Sequence, residues 1–177
     1  RIWLNAGAGR FRALPRLALR HTCLSSMGID FADINRDGFD DFVVLDMLSR
    51  QHEKRLAQLE MLQADRAGPG QIANRPQYPR NTLFLNRGDG TYAEIGLLAG
   101  LRASDWSWTP VFLDVDLDGF EDLLVSNGFS IDIRDSDAHA RVEKMKRQQE
   151  LSDGELRRIR RHYPTWPTPN AAFRNRG

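Results

Sequence analysis

The sequence predicts an all-β protein with helical insertions, assembled from four-stranded antiparallel units, and three observations carry that prediction. A nine-residue acidic phrase occurs twice, as Asp33-Ile34-Asn35-Arg36-Asp37-Gly38-Phe39-Asp40-Asp41 and as Asp114-Val115-Asp116-Leu117-Asp118-Gly119-Phe120-Glu121-Asp122. A second phrase also recurs: Ile2-Trp3-Leu4-Asn5-Ala6-Gly7-Ala8-Gly9-Arg10-Phe11 aligns with Leu83-Phe84-Leu85-Asn86-Arg87-Gly88-Asp89-Gly90-Thr91-Tyr92, and a third copy begins at Ala172-Phe173-Arg174-Asn175-Arg176-Gly177. The first two copies of the second phrase keep the same offset as the two acidic phrases, 81 residues, and self-similarity at a fixed period marks a repeat architecture. The third observation is that β-branched and aromatic runs bounded by turn residues flank every copy, which reads as short strands.

Taken in order, the first unit has strands at 28–32, 42–46, 82–86 and 91–95. The acidic phrase joins the first two. The last two form a hairpin around Asn86-Arg87-Gly88-Asp89-Gly90. Four-stranded antiparallel units repeated radially make a β-propeller, so the chain is expected to supply half a blade, one full blade and half of the next, with repeat cores at about 1–47, 81–128 and 171–177. It opens on Arg1-Ile2-Trp3-Leu4 and stops at Phe173-Arg174-Asn175-Arg176-Gly177, and so reads as a piece of a longer protein.

The acidic phrase is a calcium loop by its donor chemistry. Side-chain oxygens at positions 1, 3, 5 and 9, with a backbone carbonyl at position 7, suit a hard cation that takes six to eight oxygens. That set is Asp33, Asn35, Asp37, Phe39 and Asp41 in the first loop, and Asp114, Asp116, Asp118, Phe120 and Asp122 in the second. Two carboxylates ~5 Å apart repel by roughly 3 kcal/mol at an effective dielectric near 20, so a cation would relieve each loop. A single phrase of this kind is as readily an Asp/Gly turn; two in matched context favour Ca2+ at two sites. An EF-hand is excluded, because its position 12 calls for Glu and here holds Val44 or Val125. The strand-rich flanks and long spacing also exclude a dockerin-like module. Asn35 carries no charge, so the first site is expected to be the weaker.

These loops, each followed by an apolar strand, together with the Asn-x-Gly hairpin, resemble FG-GAP/VCBS repeats, the calcium-loop blades also found in integrin α-chain propellers. Trp106-Ser107-Trp108 before the second loop and Ser126-Asn127-Gly128 after it are similar to the cartilage acidic protein-like ASPIC/UnbV group. The resemblance covers the repeat cores and not the two inserts. It implies a calcium-stabilised propeller of the extracellular space, periplasm or cell surface, a non-enzymatic scaffold that binds a protein or a glycan. An alternative is the propeller of a polysaccharide-active enzyme whose acid and base lie outside these residues.

Residues 48–80 and 129–170 are inserts within the repeat. Ser49 is placed to cap a helix to about Asp65, with Leu48, Leu56, Leu59 and Leu62 near one face and Gly68-Pro69-Gly70 as its stop. A second helix is expected from Ala138 to Leu151, and a capping box of Ser152 and Glu155 opens a third, Leu156 to Tyr163, that Pro164 ends. The helices are expected either to pack their apolar stripes over the blades, the simpler reading, or to form a surface for a partner. Arg157, Arg158, Arg160, Arg161 and His162 form the one basic cluster, most simply a solvated helix end.

The 177 residues are 41% hydrophobic with a net charge of +1, which fits one globular unit and gives no global field for nucleic acid. No run approaches the ~18 apolar residues of a membrane span. One cysteine, Cys23, excludes an internal disulfide. Cys23 near His21 has the look of a nucleophile and base, but no third group or oxyanion hole is legible, and a small buried residue is expected. Arg87-Gly88-Asp89 spells an adhesive tripeptide whose Gly and Asp the hairpin turn explains. Trp106 and Trp108 suit core packing better than sugar stacking, Trp166 is expected to be buried, and the paired loop acids serve a cation better than glycoside hydrolysis.

Overall fold

The computed structural model describes residues 2–59, 75–148 and 152–177. Among them the strands are β1 (Trp3–Asn5), β2 (Phe11–Ala13), β3 (Thr22–Cys23), β4 (Gly28–Ala32), β5 (Asp41–Leu45), β6 (Met47–Leu48), β7 (Gln77–Tyr78), β8 (Thr82–Asn86), β9 (Tyr92–Glu94), β10 (Asp105–Leu113), β11 (Asp122–Asn127) and β12 (Ala171–Phe173). The helices are α1 (His52–Leu59), α2 (Ser136–Gln148) and α3 (Asp153–Arg158). A 3-10 turn, Ile159–His162, continues α3.

Two four-stranded antiparallel sheets dominate. The first has the order β4-β5-β8-β9, the strand sequence expected of one repeat unit, and the second the order β12-β11-β10-β6. β1 and β2 form a separate hairpin, and β3 pairs parallel with β7, a contact the repeat pattern did not announce.

β5 is apolar on both faces because it lies between two partners. Val43 and Leu45 point with Leu83 into a core shared with Leu123, Val125 and Ala171 of the second sheet. Phe42 points the other way and joins Phe84 and Leu19, with Ile2 and Tyr92 against them. The rings of Phe42 and Phe84 stack 4.8 Å apart, and Tyr92 meets Phe42 edge-on at 5.2 Å. Strands buried on both faces read as unbroken apolar runs, which is the Phe42-Val43-Val44-Leu45 pattern.

The sheets meet where β4 crosses β10. Gly28 makes this approach possible: a Cβ there would lie 2.4 Å from the Trp108 carbonyl oxygen and 2.6 Å from Pro110 Cδ. Beside it the Phe112 amide donates to Asp30 Oδ2 at 2.7 Å. β10 shifts register between Ser107 and Thr109, which separates the fates of two tryptophans. Trp106 is buried and stacks on Phe129 at 4.6 Å, with Trp166 edge-on at 5.9 Å. Trp108 stays partly exposed and donates from Nε1 to the Gly128 carbonyl.

The inserts are helical where they are described, with shifted starts; the expected ends near Asp65 and at Leu151 lie outside the described residues. α1 begins three residues after Ser49, whose hydroxyl accepts from the Gln51 amide. Of the expected apolar stripe Leu48 is buried, in β6, whereas Leu56 is exposed, and α1 fully buries Gln58. The reason is polar. Gln58 Oε1 accepts from the Ser49 amide, and its Nε2 donates to both oxygens of buried Asp132. Leu62 and the Gly68-Pro69-Gly70 stop lie outside the described residues. α2 buries Ala138 and Val142, and the Ser152–Glu155 capping box opens α3. No helix among the described residues is long and apolar enough to cross a membrane.

Candidate metal centre

Each acidic phrase folds into the same loop between two strands, and five hydrogen bonds repeat from copy to copy. The position-1 carboxylate takes two backbone amides: Asp33 accepts from Asp37 and Gly38 at 2.9 and 2.8 Å, and Asp114 from Asp118 and Gly119 at 3.1 and 3.0 Å. The position-5 carboxylate accepts from the position-7 amide, Asp37 from Phe39 at 2.9 Å and Asp118 from Phe120 at 3.0 Å. At position 9, Asp41 accepts from the Ile34 and Asn86 amides at 3.2 and 2.7 Å, and Asp122 from Val115 and Asn175 at 3.3 and 2.9 Å.

The backbone repeats as well. Position 4 is left-handed without being glycine, with φ of 62° at Arg36 and 60° at Leu117, and Gly38 and Gly119 follow at 87° and 94°. A left-handed non-glycine residue costs roughly 1–2 kcal/mol. Both loops place it at the same position, between the position-3 and position-5 side chains.

In the second loop one carboxylate oxygen each of Asp114, Asp116 and Asp118 lie within 4.8 Å of one another. That donor set is all hard oxygen, which fits calcium better than a soft transition metal. In the first loop Asn35 stands in place of the second carboxylate; its Nδ2 donates to Asp37 Oδ2 at 2.9 Å. Asp41 and Asp122 are buried and both oxygens of each bind backbone amides; Asp122 is not among the three carboxylates that converge in its loop, and among the described residues Asp33, Asp37 and Asp41 form no such group. Burial raises the Asp41 pKa, its hydrogen bonds oppose that, and the charges of Asp37 and Asp33 add to it.

Phe39 and Phe120 carry a second job. Their rings pack on the turn glycines Gly88 and Gly177, leaving room for no Cβ at Gly88, where one would sit 2.8 Å from the ring. Two contacts that hold loop to hairpin therefore recur in both copies, the position-9 carboxylate on an asparagine amide and the position-7 ring on a glycine. Asn86 and Asn175 were visible in the sequence only as turn residues. Their constant place three residues into the hairpin phrase was the signal that linked them to the loops.

Two arginines also reach the second loop. Arg174 Nη2 lies 2.6 Å from Asp116 Oδ2 and 3.3 Å from Asp118 Oδ2. Arg36 of the first loop donates from Nη2 to the Gly119 carbonyl and pairs with Glu121 at 3.1 Å. The Arg174 guanidinium is thus an exposed ion-pair partner of two of the three loop carboxylates.

The remaining sequence candidates resolve into structure. Cys23 is buried, its thiol 3.2 Å from Thr82 Oγ1, and burial pushes its pKa up to about 12. His21 turns away to Glu94 Oε2 at 3.0 Å, where Arg80 joins at 3.0 Å, so the two do not form a nucleophile pair. Arg87-Gly88-Asp89 is a turn closed by Gly88 on Asn86 Oδ1 and Thr91 on Asp89 Oδ1. Arg157, Arg158, Arg161 and His162 are exposed, and Arg160 lies over the Phe129 ring at 5.7 Å.

Comparison with known families agrees with this geometry. Residues 71–125 match the family model described as the FG-GAP-like repeat. The match takes in the β8–β9 hairpin and the whole second loop, and it supports the FG-GAP family for those residues. No curated protein and no solved structure matches the chain.

Proposed function

We infer that the chain is a calcium-binding segment of a β-propeller, non-enzymatic, that serves as a rigid scaffold for a protein or glycan outside the cytoplasm, in the manner of the ASPIC/UnbV group. The observation that carries this reading is the duplicate loop: two copies share position-1, position-5 and position-9 hydrogen bonds and the left-handed residue at position 4. Calcium would be held by Asp33, Asn35 and Asp37 in one loop and Asp114, Asp116 and Asp118 in the other, with Phe39 and Phe120 offering carbonyls. Asp41 and Asp122 would complete each set from position 9 on a swing of the side chain toward the ion. When bound, the cation neutralises the carboxylates and ties both strands of the hairpin to one point.

The propeller reading draws support from how the two sheets meet. Pro110 and Phe112 of the second repeat turn towards the first sheet. The residues one repeat earlier, Ile29 and Phe31, are 51% and 55% exposed. Val111, Leu113 and Val115, one repeat after Asp30, Ala32 and Ile34, are exposed on the opposite side. Repeating the observed contact in both directions would cover both sets, which is the geometry of successive blades. In that scheme 48–80 and 129–170 are decorations of the blade.

Thermal unfolding of chelator-stripped protein, with and without calcium, tests the reading. Calcium at ~100 times its Kd should add about 2.7 kcal/mol per site, and Asp118→Ala should remove one site's share. An unfolding curve indifferent to calcium would overturn the assignment.

A further inference from the structure

We propose that Arg174 is a built-in competitor of the cation at the second loop, placed there to offset the extra carboxylate that loop carries. The inference rests on the calcium reading above and concerns what sets the affinity. At positions 1, 3 and 5 the first loop has two charges, from Asp33 and Asp37, and the second has three, from Asp114, Asp116 and Asp118. Charge count raises calcium affinity, so the sequence alone makes the second site the tighter. Arg174 changes that comparison. Its guanidinium sits 2.6 Å from Asp116 Oδ2 and 3.3 Å from Asp118 Oδ2, on two of the three converging groups, and reduces their net charge to that of the first loop.

The repeat shows that this arginine is not required by the hairpin that carries it. The place of Arg174, immediately before the asparagine that binds the position-9 carboxylate, is Leu85 in the second copy of the hairpin phrase and Leu4 in the first. The fold accepts leucine there, and the arginine stands beside the loop that has the full set of acids. Arg174 is also exposed, so it can swing into solvent when a divalent ion takes its place. Calcium binding at the second loop is thus an exchange of one tethered cation for a stronger free one.

Calorimetric titration of calcium into chelator-stripped parent protein, Arg174→Leu and Arg174→Gln decides the matter. Both variants should bind calcium about tenfold more tightly at one site only, and adding Asp118→Ala should abolish that site. The gain should shrink as ionic strength rises, because an exposed charge is screened. Arg158→Leu, which removes an exposed cation from α3, should leave both affinities unchanged. If the parent binds calcium and neither Arg174 variant binds it more tightly, the competition is refuted while the calcium loops stand. If none of the three proteins binds calcium, both readings fall.

Discussion

Asp41 and Asp122 do more for the fold than a loop ligand needs to. Each receives an amide from its own loop and another from the asparagine of the neighbouring hairpin, and each is buried. Asp41→Ala would strand two backbone donors, at roughly 1–3 kcal/mol for each. Urea unfolding in the presence of chelator should therefore show a loss of about 2–6 kcal/mol for Asp41→Ala, against little for Asp37→Ala, whose partners are exposed. Equal losses would mean that position 9 has no structural role of its own. Cys23 offers a second check at this scale. With its thiol buried and its pKa pushed up to about 12, it should resist a thiol-reactive dye in the native protein and react only on unfolding. The loop residues were legible in the sequence because donor chemistry fixes residue type at each position. Arg174 and Arg36 were not, since nothing in the spacing of an arginine says which distant carboxylate it will reach.

At the scale of elements, the contact between β4 and β10 depends on a missing side chain. Gly28→Ala would drive a Cβ into the Trp108 carbonyl, costing about 1–3 kcal/mol by overpacking. Gly154→Ala, in open space on α3, should instead gain up to ~1 kcal/mol from helix propensity; chemical denaturation of both variants checks the pair. The β9 end responds to pH. Burial alone would raise the Glu94 pKa, but the His21 hydrogen bond, the Gly96 amide and the Arg80 charge outweigh it and hold the carboxyl below its ordinary range. A depressed carboxyl adds stability above its unfolded value and loses it as pH falls through the folded one. Parent and Glu94→Gln should therefore differ in stability at neutral pH and converge as pH falls through the folded pKa of Glu94, below its ordinary range; a difference that persists once the carboxyl is protonated would contradict the assignment. The strands were readable from alternation and turn residues. α1 was readable as a helix but not in its packing, because its buried residue is Gln58, held by Asp132 from the other insert, and leucine periodicity carries no trace of that bond.

For the whole molecule, the open question is what covers the outer apolar residues Ile29 and Phe31 on one side and Val111, Leu113 and Val115 on the other. Exposed sheet faces and unpaired edges favour association, so the isolated chain should self-associate with rising concentration in sedimentation experiments, and Phe31→Lys should weaken that association. A stable monomer at all concentrations would tell against repeat-to-repeat stacking. The fixed offset made the four-stranded unit legible from the sequence; the way the second sheet packs on the first was not, because it depends on contacts beyond one repeat. The account stands or falls on the two loops. The measurement that tests them most directly is the stoichiometry of calcium in a calorimetric titration of the stripped protein. Two ions per chain in the parent, and one in each of Asp37→Ala and Asp118→Ala, is the expected result. An absence of binding heat, or a stoichiometry that neither substitution changes, would reduce both loops to acidic turns.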